Sequence, residues 1–195
     1  MREQAPGKVN LCLFLGPARA DGRHQLVTVL ESVSLFDELT LTVASEDEVV
    51  CPSVRGPNLV TDALRLLRER GWDGPPVRIE ITKRIPVAAG MAGGSADAAA
   101  ALRLAARLAP VPAGIAAEIA ASLGSDVPSQ LAPGLTLGTG AGDVVEPLRA
   151  LAPHAFAIVP LPHALSTPAV YIEADRLGLG RAPDELRALR AEWRG

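Results

Sequence analysis

Gly90-Met91-Ala92-Gly93-Gly94-Ser95-Ala96-Asp97-Ala98-Ala99 sets small residues where a backbone can approach a ligand closely, and Ser95 where it can cap a following helix. Such a loop-to-helix junction suits an anion, because unpaired backbone N–H groups and the positive end of the helix dipole attract phosphate without any side-chain charge. A strand-to-helix connection that needs glycine only for its turn has the same composition, so the stretch alone leaves both readings open. Two familiar phosphate loops are excluded. No Lys-Ser or Lys-Thr follows the glycines, as a P-loop requires, and the glycine spacing of a dinucleotide fold is absent. The run Gly138-Thr139-Gly140-Ala141-Gly142 looks like a dinucleotide fragment, but Asp143 and a Pro-broken segment follow it where a helix would be needed, and it reads as a turn.

Outward from the junction, Ala96–Leu108 has the Ala, Leu and Arg content of a helix, and Val77–Thr82 before it alternates Val77, Ile79 and Ile81 with polar residues, as a half-buried strand does. Further upstream, Asn58–Arg70 carries Leu59, Ala63, Leu66 and Leu67 on one helical face and stops at Gly71. Strands are expected at Val9–Leu15, Leu26–Ser34 and Leu39–Ala44. Downstream, Ile115–Leu123 reads as a helix ended by Gly124, and Gly134–Gly142 as turn, strand and turn. After Pro147 the texture shifts: Phe156–Leu161 reads as a strand between prolines, and Pro168–Arg176 and Pro183–Trp193 as helices, the second with Leu186 and Leu189 inward. The pattern is α+β, with a domain boundary near residue 150.

The chain of 195 residues is 48% hydrophobic, enough to bury a core. Its 19 basic and 22 acidic residues give a net charge of −3 and are scattered, which points away from nucleic acid and membrane surfaces and towards a small-molecule partner. Cys12 and Cys51, far apart in apolar or strand-like surroundings, fit reduced thiols better than a disulfide framework. Met1–Asn10 has no apolar run of signal-peptide type, and the expected location is cytoplasmic.

Three features together resemble the GHMP kinases, named for galactokinase, homoserine kinase, mevalonate kinase and phosphomevalonate kinase. Ala5-Pro6-Gly7-Lys8-Val9-Asn10-Leu11 resembles the family's first motif, the Gly90–Ala99 stretch its second, and their order and spacing also fit. The resemblance implies ATP and Mg2+ as cofactors. It also implies a two-domain architecture, with a ribosomal-protein-like α/β domain over residues 1–150 and the start of a ferredoxin-like domain, incomplete here, over 151–195. Within the superfamily, Arg19-Ala20-Asp21-Gly22-Arg23-His24-Gln25-Leu26, Leu123-Gly124-Ser125-Asp126-Val127-Pro128 and Ser166-Thr167-Pro168-Ala169-Val170-Tyr171 are similar to a branch that phosphorylates a hydroxyl of a cytidine-diphosphate sugar alcohol in non-mevalonate isoprenoid synthesis. That branch implies Asp126 as general base and Lys8 as its electrostatic partner, and adenine contacts at Asn58 and Lys83. It further implies phosphate contacts along Gly90, Met91, Ala92, Gly93, Gly94 and Ser95, and substrate contacts at Asn10, His24, Thr167 and Tyr171. His24 would hydrogen-bond cytosine and Tyr171 stack on it. Arg23 stands where an aromatic residue is frequent, and Ala92 where many members have Gly, an exchange compatible with a negative φ.

Each side chain also has a plainer reading. Asp126 fits a helix or turn cap, Lys8 a solvated N-terminal charge, His24 an exposed turn residue after Asp21-Gly22, Tyr171 a cover for the core, and Asn58 an N-cap. Two further functions compete with the first: a kinase of another small alcohol, of mevalonate or homoserine type, and an inactive, shortened nucleotide-binding module. A homodimer is left open.

Overall fold

The computed structural model describes residues 1–159 and 166–194. A six-stranded sheet is built around one long strand, β2 (His24–Val43). Along one edge of β2 runs the antiparallel β1 (Arg2–Ala18). The other edge is divided: Glu38–Val43 pairs with β4 (Val77–Thr82), and Thr28–Glu31 pairs with β5 (Leu135–Thr139). The short β3 (Glu48–Val50) adds in parallel outside β4, and β6 (Val144–Pro147) antiparallel outside β5, with Pro147 ending an edge strand where a missing N–H does no harm. The expected strands at Leu26–Ser34 and Leu39–Ala44 are one continuous strand. The stretch between them contains Asp37, which is fully buried and matched to specific donors, so a polar interruption in the sequence is no interruption of the sheet.

One face of the sheet is covered by α1 (Leu59–Glu69) and α2 (Gly93–Leu108), with α3 (Ile115–Leu123) packed on these helices. Ala96, Ala98, Ala99, Ala100, Ala101 and Ala105 of α2 are all buried, because a helix of small residues can sit close to both the sheet and its neighbours. Trp72 and Leu67 close the far end of this core. The segments Val77–Thr82 and Ile115–Leu123 match the sequence expectation residue for residue.

The opposite face, with Val27, Val29, Leu135 and Leu137, is covered by Leu186 and Leu189 of α6 (Pro183–Glu192) and by Trp193, which follows it. Gly16 permits this approach: a Cβ there would lie 2.4 Å from Leu186 Cδ1. Arg190 and Arg194 then pair with Glu146 of β6. The inward Leu186 and Leu189 are as the periodicity predicts, but Phe156–Val159 forms no strand; the rest of that expected strand, residues 160–161, lies outside the described residues. Phe156, Ile158 and Val159 are exposed and make no ladder to hold them extended. A cavity of about 450 Å³ lies beside 31–35 of β2 and 151–156, and none of the candidate site residues lines it. Among the described residues, no helix is long and apolar enough to cross a membrane.

Candidate active site

The turn before α2 departs from the sequence expectation in an informative way. Ser95 is not the cap; α2 begins at Gly93, and the N-cap is Ala92, held left-handed at φ +54° with no side-chain capping bond. Alanine in place of glycine at position 92 is compatible with a negative φ, and that condition is not met here. The left-handed turn places Gly93, Gly94 and Ser95 in the first helical turn, where their N–H groups have no intrahelical partner. The turn is pinned from below. Lys8 N–H donates to Met91 O at 3.0 Å, and the Met91 side chain is buried against Gly7, where β1 shifts register between Pro6 and Lys8.

The same irregular strand aims the Lys8 side chain. Its ammonium donates to Asn10 Oδ1 at 2.7 Å and lies 3.8 Å from Asp126 Oδ2. Asn10 is fixed in turn by donating to Thr28 Oγ1 at 2.8 Å, and that hydroxyl donates to Cys12 O. Lys8 is not a solvated charge, since its side chain is only 9% exposed. Asp126 precedes the short α4 (Val127–Gln130) without making a side-chain capping bond, and its carboxylate is 38% exposed, open to a ligand as well as to Lys8.

His24 and Tyr171 also meet, although 147 residues apart by their numbers. Their ring centroids are 5.4 Å apart at 51°, and His24 Nε2 lies 2.8 Å from Asp175 Oδ1, both Tyr171 and Asp175 belonging to α5 (Thr167–Arg176). Burial, and then the charge of Asp126, push the Tyr171 hydroxyl up. Thr167 is the exposed first residue of α5. Asn58 accepts from Val60 N–H at 2.9 Å and so caps α1, and the next residue, Leu59, lies beside Gly94.

Lys83 is held in a cluster that sequence reasoning missed. Its ammonium donates to Asp37 Oδ2 and, at 2.7 Å, to Asp97 Oδ2. Asp37 Oδ1 accepts the N–H groups of Arg84 and Ile85. Burial alone would pull the Lys83 ammonium down, but the two carboxylates outweigh it and hold the group above its ordinary range. Burial pushes the Asp97 carboxyl up to about 7 against the pull of Lys83, with the Asp37 charge adding to the rise. A single Asp inside the Ala96–Ala101 run was the signal available in the sequence.

A sheet with helices packed on it thus carries a glycine-rich turn, a bare helix N-terminus and a Lys–Asp pair, and comparison with known proteins shows the family. The description "GHMP kinases N terminal domain" matches residues 58–134, and the chain belongs to the GHMP kinase family. A crystal structure titled 4-(cytidine 5'-diphospho)-2C-methyl-D-erythritol kinase is 35% identical, with 98% of this chain and 72% of that chain covered and a TM-score of 0.76. A Kineococcus radiotolerans protein named 4-diphosphocytidyl-2-C-methyl-D-erythritol kinase is 43% identical over 98% of this chain and 64% of its own length. A Saccharopolyspora erythraea protein of the same name is 44% identical over 89% and 58%. The chain thus spans only 58–64% of these curated relatives. Mevalonate pyrophosphate decarboxylase from Streptococcus pyogenes, at 11% identity and a TM-score of 0.58, shares the fold.

Proposed function

We propose that this chain binds ATP and transfers its γ-phosphoryl group to a hydroxyl of 4-diphosphocytidyl-2-C-methyl-D-erythritol, a cytoplasmic step of non-mevalonate isoprenoid synthesis. The observation that carries the reading is the convergence of Lys8, through its backbone on the glycine-rich turn and through its side chain on Asp126. One residue thereby ties the phosphate site to the base. The relatives' names supply the acceptor.

In this reading the first-turn N–H groups of Gly93, Gly94 and Ser95 hold the nucleotide phosphates, with Gly90, Met91 and Ala92 shaping the approach. Asp126 takes the proton of the acceptor hydroxyl as its oxygen bonds to the γ-phosphorus and the bond to the β-phosphate oxygen breaks, leaving ADP. Lys8 stabilises negative charge growing on the attacking oxygen. His24 and Tyr171 take the cytosine, Asn10 and Thr167 the rest of the acceptor. Asn58 and Lys83 are assigned to adenine; two of the three Lys83 ammonium hydrogens are taken by carboxylates, leaving one free to donate.

Mg2+ would be held by the nucleotide phosphates and by Ser95 in the first turn of α2. Bound there, it would neutralise phosphate charge. An acceptor panel tests the assignment: ATP consumption is expected with the cytidine-diphosphate sugar alcohol and not with mevalonate or homoserine. Turnover confined to either of the latter would overturn the substrate class.

A further inference from the structure

α5 carries a carboxylate to which the mechanism above gives no task. Asp175 Oδ1 lies 2.8 Å from His24 Nε2, and no other side chain partners that carboxylate among the described residues. The adjacent cation, Arg176, is held instead by both oxygens of Glu173. The His24 side chain is only 10% exposed and the Asp175 side chain 59%. A pair so open at one end adds little to stability. α5 meets the rest of the fold at few points, and the bond ties this helix to the start of β2. It also decides which nitrogen of the His24 ring carries the proton.

An ionised carboxylate has no hydrogen to give, so Nε2 must donate to it, and a neutral imidazole that donates from Nε2 has a bare lone pair on Nδ1. Nδ1 has no hydrogen-bond partner among the described residues, yet it is not a buried unpaired atom, and it is open to a ligand. Beside it stands the Tyr171 ring, with 5.4 Å between centroids and a tilt of 51°, a flat apolar face next to an atom that can only accept. A planar base stacked on Tyr171 would meet that acceptor at its edge. Cytosine answers with a hydrogen of its 4-amino group, whereas uracil presents a carbonyl oxygen at the same place and sets lone pair against lone pair. With the proton on Nδ1 instead, the same ring would suit the uracil carbonyl.

We propose that Asp175 is a positioning residue for base selection: by accepting from Nε2 it fixes the His24 tautomer whose Nδ1 can only accept, and so selects a pyrimidine nucleotide bearing an exocyclic amino group over one bearing a carbonyl. The inference rests on the assignment of His24 and Tyr171 to cytosine above. Asp175 itself touches no substrate and acts through His24. The bond joins residues 151 positions apart, so the seating of α5 sets the ring and the ring sets the base. A matched donor and acceptor in place of two opposed acceptors changes affinity by roughly tenfold.

Calorimetric titration of the whole chain with CDP and with UDP tests this, at about pH 8, where histidine side chains are ordinarily neutral, and with the nucleotide site saturated by Mg2+ and a non-hydrolysable ATP analogue. The wild type is expected to prefer CDP by roughly tenfold. Asp175→Asn separates the two roles of the bond: an amide can still reach Nε2 and hold α5, but through its oxygen or its NH2 group, so it tolerates either tautomer. In that variant the preference is expected to fall to roughly twofold, with affinity for the ATP analogue unchanged. A variant that keeps the wild-type preference, or a wild type that binds CDP and UDP alike, would overturn the inference and leave the kinase reading intact. A wild-type chain that binds the ATP analogue but not CDP would overturn the cytidine acceptor itself. Nitrogen-15 spectra of the histidine rings supply a readout on the wild type alone: His24 with its proton on Nε2 and none on Nδ1 supports the inference, and a proton on Nδ1 refutes it.

Discussion

Gly93→Ala is the substitution whose outcome the structure fixes most tightly. Ala is the better helix former by up to ~1 kcal/mol, but less at the first helical position, where no intrahelical N–H bond is made. Gly93 does not need a left-handed backbone, so φ adds no cost. Packing decides. The new Cβ would meet Lys83 Nζ at 3.1 Å, Ile85 Cγ2 at 3.2 Å and Asp37 Oδ2 at 3.3 Å. Lys83 is clamped by two carboxylates, Asp37 by backbone donors, and Ile85 is buried, so none can give way freely. The start of α2 must lift instead. Overpacking of this kind costs about 1–3 kcal/mol, leaving a net loss of about 1–2 kcal/mol after the propensity gain. In a chain of this length that lowers the unfolding midpoint by roughly 2–8 °C. Gly94→Ala is the internal control, because its Cβ would meet only Leu59 Cδ1 at 3.9 Å. Thermal unfolding followed by circular dichroism, without nucleotide, is the assay. A Gly93→Ala protein as stable as the wild type, or less perturbed than Gly94→Ala, would refute the placement of the turn on the buried cluster.

Two more outcomes follow from the same region. Ala92→Gly removes a left-handed strain of about 1–2 kcal/mol at the cost of about 0.5–1 kcal/mol of chain entropy, so the midpoint is expected to rise by about 2 °C; a fall would contradict the φ of +54°. Asp97 has its folded pKa raised to about 7 from 3.8, so its contribution to stability is fully present below pH 4 and is lost as the pH rises through 7. Denaturant unfolding from pH 5 to pH 8 should therefore show the wild type losing of order 3 kcal/mol relative to Asp97→Asn, and parallel curves would refute the burial of an uncompensated carboxyl.

The sequence made the local elements plain where period and punctuation agree: the alternation of Val77, Ile79 and Ile81, and the Ala- and Leu-rich Ile115–Leu123 before Gly124, lie where expected. It misled where a polar residue is buried with a partner distant in sequence. The gap left between the expected strands Leu26–Ser34 and Leu39–Ala44 holds Asp37, which Arg84, Ile85 and Lys83, some 46–48 positions away, satisfy so that β2 runs through. Ser95 looked like a cap because serine caps helices; a left-handed Ala92 starts α2 instead, which residue type alone does not announce. Phe156–Val159 had the apolar content of a strand but no neighbour to pair with among the described residues. Lys8 and Asp126 were legible only through motif resemblance, since their 3.8 Å approach depends on a register shift in β1 and on how the chain turns between α3 and α4.

The account stands or falls on Asp126 acting as the base beside Lys8. A coupled assay of ATP consumption with Mg2+ and 4-diphosphocytidyl-2-C-methyl-D-erythritol, run on the wild-type chain and on Asp126→Asn, tests it. Turnover that needs the acceptor and falls by roughly 100-fold or more in the variant, with nucleotide binding retained, is the predicted result. Turnover undiminished in Asp126→Asn, or none in the wild-type chain, would contradict it.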